Sequence, residues 1–118
     1  MGTIYTGKYQ NHSIRVDNSF SRCKLFIDGI EKDVIKGLTP QEGANTLRSV
    51  IHKETGDSVV EVVIDLVPIK KGAFIRTSGN RFVVKINGEF CATGFLSRSQ
   101  QKKYGELLKY SSEAVKKG

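Results

Sequence analysis

Apolar and polar residues alternate over two short stretches that end in the same kind of turn. In Arg22-Cys23-Lys24-Leu25-Phe26-Ile27-Asp28-Gly29 the residues Cys23, Leu25 and Ile27 share one side, and in Arg81-Phe82-Val83-Val84-Lys85-Ile86-Asn87-Gly88 so do Phe82, Val84 and Ile86, because successive side chains of a strand point to opposite faces. Asp-Gly or Asn-Gly between such runs signals a hairpin, since a type I′ turn needs positive φ at both central residues. The two stretches align without a gap, and an Ile-Arg pair precedes each, Ile14-Arg15 and Ile75-Arg76. Two similar hairpins with matching inner faces are expected. Their likeness fits either duplication or the common look of hydrophobic strands that share a turn type.

Between them, the segment from Ser58 to Val67 is dominated by β-branched residues, with Val60, Val62, Ile64 and Leu66 on one face. It reads as a central strand that stops at Pro68, which has no N–H to give to a ladder. Upstream, Thr39-Pro40-Gln41-Glu42 has the parts of a helix start, a Thr cap with Pro and then Glu behind it. Ala44, Leu47, Val50 and Ile51 continue at helical spacing; the competing reading makes Leu47 to His52 a strand that turns at Thr55-Gly56-Asp57. From Ser97 to Lys117, Tyr104, Leu107, Leu108, Ser111 and Val115 drift along one side of an amphipathic helix. The expected fold is α+β and mainly β. It is an antiparallel sheet or small sandwich or barrel of roughly six or seven strands, with that C-terminal helix and, on the first of the two readings, a short helix within residues 40–52. Residues 1–118 form a single domain on this reading, with a β-rich body over 1–96 and the basic helix over 97–117.

Charge adds a second feature. The net charge is +7, and residues 97–118 hold six Lys and Arg against two Glu, so much of the excess sits in the last segment. A cationic helix carrying Arg98, Lys102, Lys103, Tyr104, Lys109 and Tyr110 would suit a phosphate backbone and exposed bases. A solubilising face explains the same lysines, which favour a helix C-terminus. Lys outnumbers Arg there, which suits general attraction better than bidentate base reading. In the body, Arg15, Arg22, Arg76 and Arg81 lie near the matched strand starts and are candidate contacts for an anionic ligand or an acidic partner; Lys8 with Tyr5 and Tyr9 adds to that basic surface.

Enzyme templates fail for specific reasons. Lys70-Lys71-Gly72 is a basic turn and lacks the spaced glycines and Lys-Ser or Lys-Thr of a phosphate-binding loop. Cys23 and Cys91 have no Cys or His neighbour at metal-ligand spacing, and read as reduced, buried thiols. His12 and His52 fall in unrelated segments, and His52, Glu54 and Asp57 are the nearest thing to an acid–base cluster, although a solvated polar loop is the favoured explanation of the same residues. Asp28 and Asn87 read as turn residues. No cofactor and no metal are expected, and no transmembrane segment, since the longest apolar stretch is interrupted at Asp65.

The stretches Leu25-Phe26-Ile27-Asp28-Gly29 and Val84-Lys85-Ile86-Asn87-Gly88 resemble hairpins of the β-sandwich in the Fas apoptosis inhibitory molecule family, over about a third of the chain. The resemblance implies a non-enzymatic β domain that acts through protein contacts, and it carries over no functional residue. Thr39 and the basic helix have no place in that pattern. With the first residues lacking the order of a secretory signal, the expectation is a cytoplasmic, non-catalytic binding domain for a protein or a small anionic ligand. The alternative is a nucleic-acid-binding protein using the C-terminal helix, and the third reading is an enzyme.

Overall fold

The computed structural model describes residues 2–19, 22–36, 45–71, 75–97 and 99–103, with the side chains of residues 66–71 and 75–79 outside that description. Eight strands run in sequence order: β1 (Gly2–Tyr9), β2 (His12–Ser19), β3 (Arg22–Ile27), β4 (Ile30–Lys36), β5 (Thr46–Ile51), β6 (Ser58–Lys71), β7 (Ile75–Ile86) and β8 (Glu89–Phe95). They form two four-stranded antiparallel meanders, β1-β2-β3-β4 and β5-β6-β7-β8. Residues 99–103 are helical, and Gln101 N–H donates to the Ser97 carbonyl at 2.9 Å in the first turn. No helix among the described residues is long and apolar enough to cross a membrane.

The inner faces are those the alternation dictates. Cys23, Leu25 and Ile27 of β3 and Phe82, Val84 and Ile86 of β7 are all buried. They join Ile14 and Val16 of β2, Leu47 and Ile51 of β5, and Val60, Val62 and Ile64 of β6 in one cluster. Each such side chain contributes about 1.5–3 kcal/mol by leaving water. The sheets are also tied at their margins. Arg48 N–H donates to Asp33 Oδ2 at 2.9 Å between β5 and β4, Asn18 Nδ2 donates to the Leu96 carbonyl at 3.4 Å, and the Tyr9 and Ser58 hydroxyls lie 3.2 Å apart.

The likeness of the two hairpins extends to whole meanders. In both β3–β4 and β7–β8 the turn is two residues, Asp28-Gly29 and Asn87-Gly88, with positive φ throughout. A bulge then follows at the same place in each, between Leu25 and Phe26 in one and between Val84 and Lys85 in the other. This leaves Lys32 and Cys91 as the extra residues. Pairing also matches one strand earlier, Ile14 with Ile27 and Val60 with Ile86. Ser13 therefore corresponds to Val59, and Arg15 to Glu61. The Ile-Arg pairs do not correspond, since Ile14-Arg15 lies on β2 and Ile75-Arg76 at the start of β7, the counterpart of β3.

One open choice is resolved, for the strand reading, and two other expectations are corrected. Residues 46–51 are strand rather than helix, with Leu47 and Ile51 buried opposite Val62 and Ser58; Thr39 to Ala44 lie outside the described residues. Strand β6 does not stop at Pro68, which pairs with Ser78. Ile64 N–H points toward Asn45 on the β5 side, so four residues on the missing N–H of Pro68 turns away from β7 and costs no bond of the β6–β7 ladder. Cys91 is exposed, because it is the extra residue of the bulge, while Cys23 is buried as expected.

Candidate functional site

Strands β1 and β2 meet at a two-residue turn, Gln10-Asn11, in which Gln10 takes φ 54°. The turn sets Lys8 opposite Ser13 and Thr6 opposite Arg15. With Ile14 and Val16 turned into the core, alternation puts Ser13 and Arg15 on the outer face, and their partners Lys8 and Thr6 beside them. These four side chains, with Gly7 and Gly29 between them, line an open basin of about 450 Å³, within the usual range for small-molecule sites.

Each part of the basin is positioned from elsewhere. Tyr5 folds across Gly7, where a Cβ would overlap the Tyr5 hydroxyl in its present position. Tyr5 in turn packs against Phe82, with ring centroids 6.0 Å apart, and burial pushes its hydroxyl above its ordinary pKa, with a smaller contribution from Cys91. Gly29 sits at φ +78°, a conformation that favours glycine. Arg15 lies over its cross-strand neighbour Phe26, 4.1 Å from guanidinium carbon to ring centre. Its Nε is 3.3 Å from Asp17 Oδ1, which also accepts from the Thr3 hydroxyl at 2.8 Å. The Arg15 side chain is still 41 % exposed, and its buried Nε makes no hydrogen bond. Among the described residues, no carboxylate pairs with Lys8. One partly offset guanidinium, one unpaired ammonium and two hydroxyls can all donate hydrogen bonds to an anion.

The second meander provides an internal comparison. At the positions of Thr6, Lys8, Ser13 and Arg15 it carries Arg48, Val50, Val59 and Glu61. The same backbone thus accommodates an apolar pair and an acid, so the framework does not dictate the cations of the first.

The four arginines singled out from sequence do not converge. Arg15 lines the basin. Arg22, exposed on β3, stands opposite Ser19 on the same outer face, farther along the sheet. Arg81 belongs to the other sheet, where its Nη2 lies 3.6 Å from Asp65 Oδ2. Arg76 pairs with Lys70 in the ladder, and its side chain lies outside the described residues. Of the cationic helix, Lys102 and Lys103 are exposed in residues 99–103, while Arg98, Tyr104, Lys109 and Tyr110 lie outside the described residues. His52 and Asp57 do pair, at 3.1 Å, without Glu54.

Thr6, Ser13 and Gly29 are the site residues that sequence reasoning missed. Recognising the turn at Gln10-Asn11 would have placed Thr6 and Ser13, since it fixes which side chains face across the hairpin. Among the described residues, no group of three His, Cys, Asp or Glu side chains is placed to hold a metal ion. No protein-family model, curated protein or solved structure matches the chain.

Proposed function

We propose that this is a non-catalytic binding domain whose ligand is a small anion, seated in the basin of the first sheet. The observation that carries the reading is the convergence of Lys8 and Arg15 with the Thr6 and Ser13 hydroxyls at one 450 Å³ basin. Among the described residues, the basin lining contains cations and hydroxyls but no carboxylate or imidazole to exchange a proton with substrate, which favours retention of a ligand over its conversion. Phosphate and carboxylate groups match such a donor set, Lys8 as a point charge and Arg15 as a planar fork.

Titration with inorganic phosphate and pyrophosphate at low and high salt, followed by amide chemical shifts, tests the reading. Shifts centred on Thr6, Lys8, Ser13 and Arg15 are expected, with affinity reduced several-fold by either K8Q or R15Q. A DNA or RNA oligonucleotide that binds more tightly, shifts residues 97–103 and ignores both substitutions would instead establish the nucleic-acid reading.

A further inference from the structure

Beside the turn that borders the basin lies a second concavity of different character. Ile30 and Val50, 59 % and 37 % exposed, are the exposed large hydrophobic residues of the described chain. They come from different sheets, yet both line one groove of about 180 Å³, with Lys32, His12 and Asp28 at its polar side. Ile27 and Ile51, both buried, line it as well. His52 also lines it, so the two histidines that look unrelated in sequence meet at one groove.

The polar side sets one ammonium, Lys32, beside a carboxylate that is already engaged. Asp28 has both oxygens engaged, one by His12 Nδ1 at 2.7 Å and the other by Ser13 N–H at 2.9 Å. Those two bonds, the His12 one first, hold its carboxyl below the ordinary value. Among the described residues, no carboxylate forms an ion pair with Lys32. Lys32 owes its place to the bulge in β4, a device that re-aims a side chain.

The repeat shows that the framework does not require this set. The second meander has Ser58, Asn87, Glu89 and Cys91 at the positions of His12, Asp28, Ile30 and Lys32. Asn87 alone suffices to close its hairpin, accepting from Val59 N–H at 2.9 Å. The histidine, the ammonium and the exposed isoleucine are additions in the first meander.

We infer that this groove is a second binding site, which takes a small monocarboxylate with an apolar body about the size of a benzene ring. The carboxylate sits at Lys32, and the body lies against Ile30 and Val50. Size supports the assignment, because an apolar cavity of about 150 Å³ holds one benzene molecule. Exposed apolar residues gathered beside a few polar groups are the ordinary mark of such a site.

The test is an amide and imidazole chemical-shift titration with benzoate, and with benzamide as its neutral counterpart. Saturable benzoate shifts at His12, Ile30, Val50 and His52 are expected, weakened at least five-fold by K32Q and by Ile30→Ser and unaffected by K8Q. Both substituted positions are at the surface, and thermal melts verify that the variants stay folded. Absence of saturable binding would overturn the inference, as would equal binding of benzamide or indifference to K32Q. Benzoate shifts that move to Thr6, Lys8 and Arg15 and vanish in K8Q would also overturn it, while leaving the basin reading intact.

Discussion

Asp28 and Asn87 occupy equivalent corners of the two meanders and make the same pair of bonds. Asp28 N–H donates to the Ser13 carbonyl at 2.9 Å and its Oδ1 accepts from Ser13 N–H at 2.9 Å; Asn87 does the same with Val59, at 2.9 Å for each bond. Their φ angles are 53° and 54°. Each side chain thus extends the ladder by one rung across to the neighbouring strand, which Asp and Asn can do from the left-handed region at little steric cost. What Asp28 adds is His12, 2.7 Å away.

Asp28→Asn therefore keeps the rung and loses only the pairing with His12. Because its folded pKa lies below the ordinary 3.8, Asp28 contributes stability that is present above that value and lost as pH falls through the lower, folded one. The variant is expected to be slightly less stable than the parent at neutral pH, with the two converging in acid. Asn87→Ala removes the rung in the other hairpin and puts alanine at positive φ, which costs about 1–2 kcal/mol at any pH. Chemical denaturation across pH measures both.

The two cysteines should separate cleanly. Cys23 is 1 % exposed, and burial first, with Asp17 second, pushes its thiol up to about 12. A thiol-specific reagent at pH 8 is expected to modify Cys91 at once and Cys23 only on unfolding, and C91S should remove the fast phase. Since the folded pKa is raised, this thiol's contribution to stability is complete below the ordinary 9.0 and lost as pH rises toward about 12.

Three residues apart across one turn, Ile27 is 4 % exposed and Ile30 59 %. Ile27→Ala should cost about 2–5 kcal/mol through lost transfer energy and the cavity left behind. Ile30→Ala should stay within about 0.5 kcal/mol. Equal effects in urea melts would mean that the inner face is misassigned.

Much of this was legible in the sequence, and the exceptions have physical causes. Asp28-Gly29 and Asn87-Gly88 announce themselves because few residue pairs tolerate a type I′ turn. The inner faces follow from the period of two. The spacing of Leu47 and Ile51, four residues apart, puts them on one side of either a helix or a strand, so only pairing with Val62 and Ser58 distinguishes the two. The turn at Gln10-Asn11 has no glycine, and without it nothing in the sequence brings Lys8 opposite Ser13 or Thr6 opposite Arg15. The basin was therefore represented in advance by Arg15, with Lys8 only as part of a loose basic surface. The groove was illegible for a different reason: Ile30 and Val50 meet only because two sheets pack, and hairpin periodicity is silent on packing between sheets.

The internal repeat supplies its own control for the anion site. Substituting Lys8→Val together with Arg15→Glu gives the first meander the residues that its counterpart carries at Val50 and Glu61, on a backbone already shown to hold them. Calorimetric titration of both proteins with pyrophosphate at low salt compares them under identical conditions. The parent protein is expected to bind saturably and the double variant, with its thermal melt intact, to bind no pyrophosphate. Equal affinity in the two, or no binding by the parent, would contradict the assignment of the basin as the anion site.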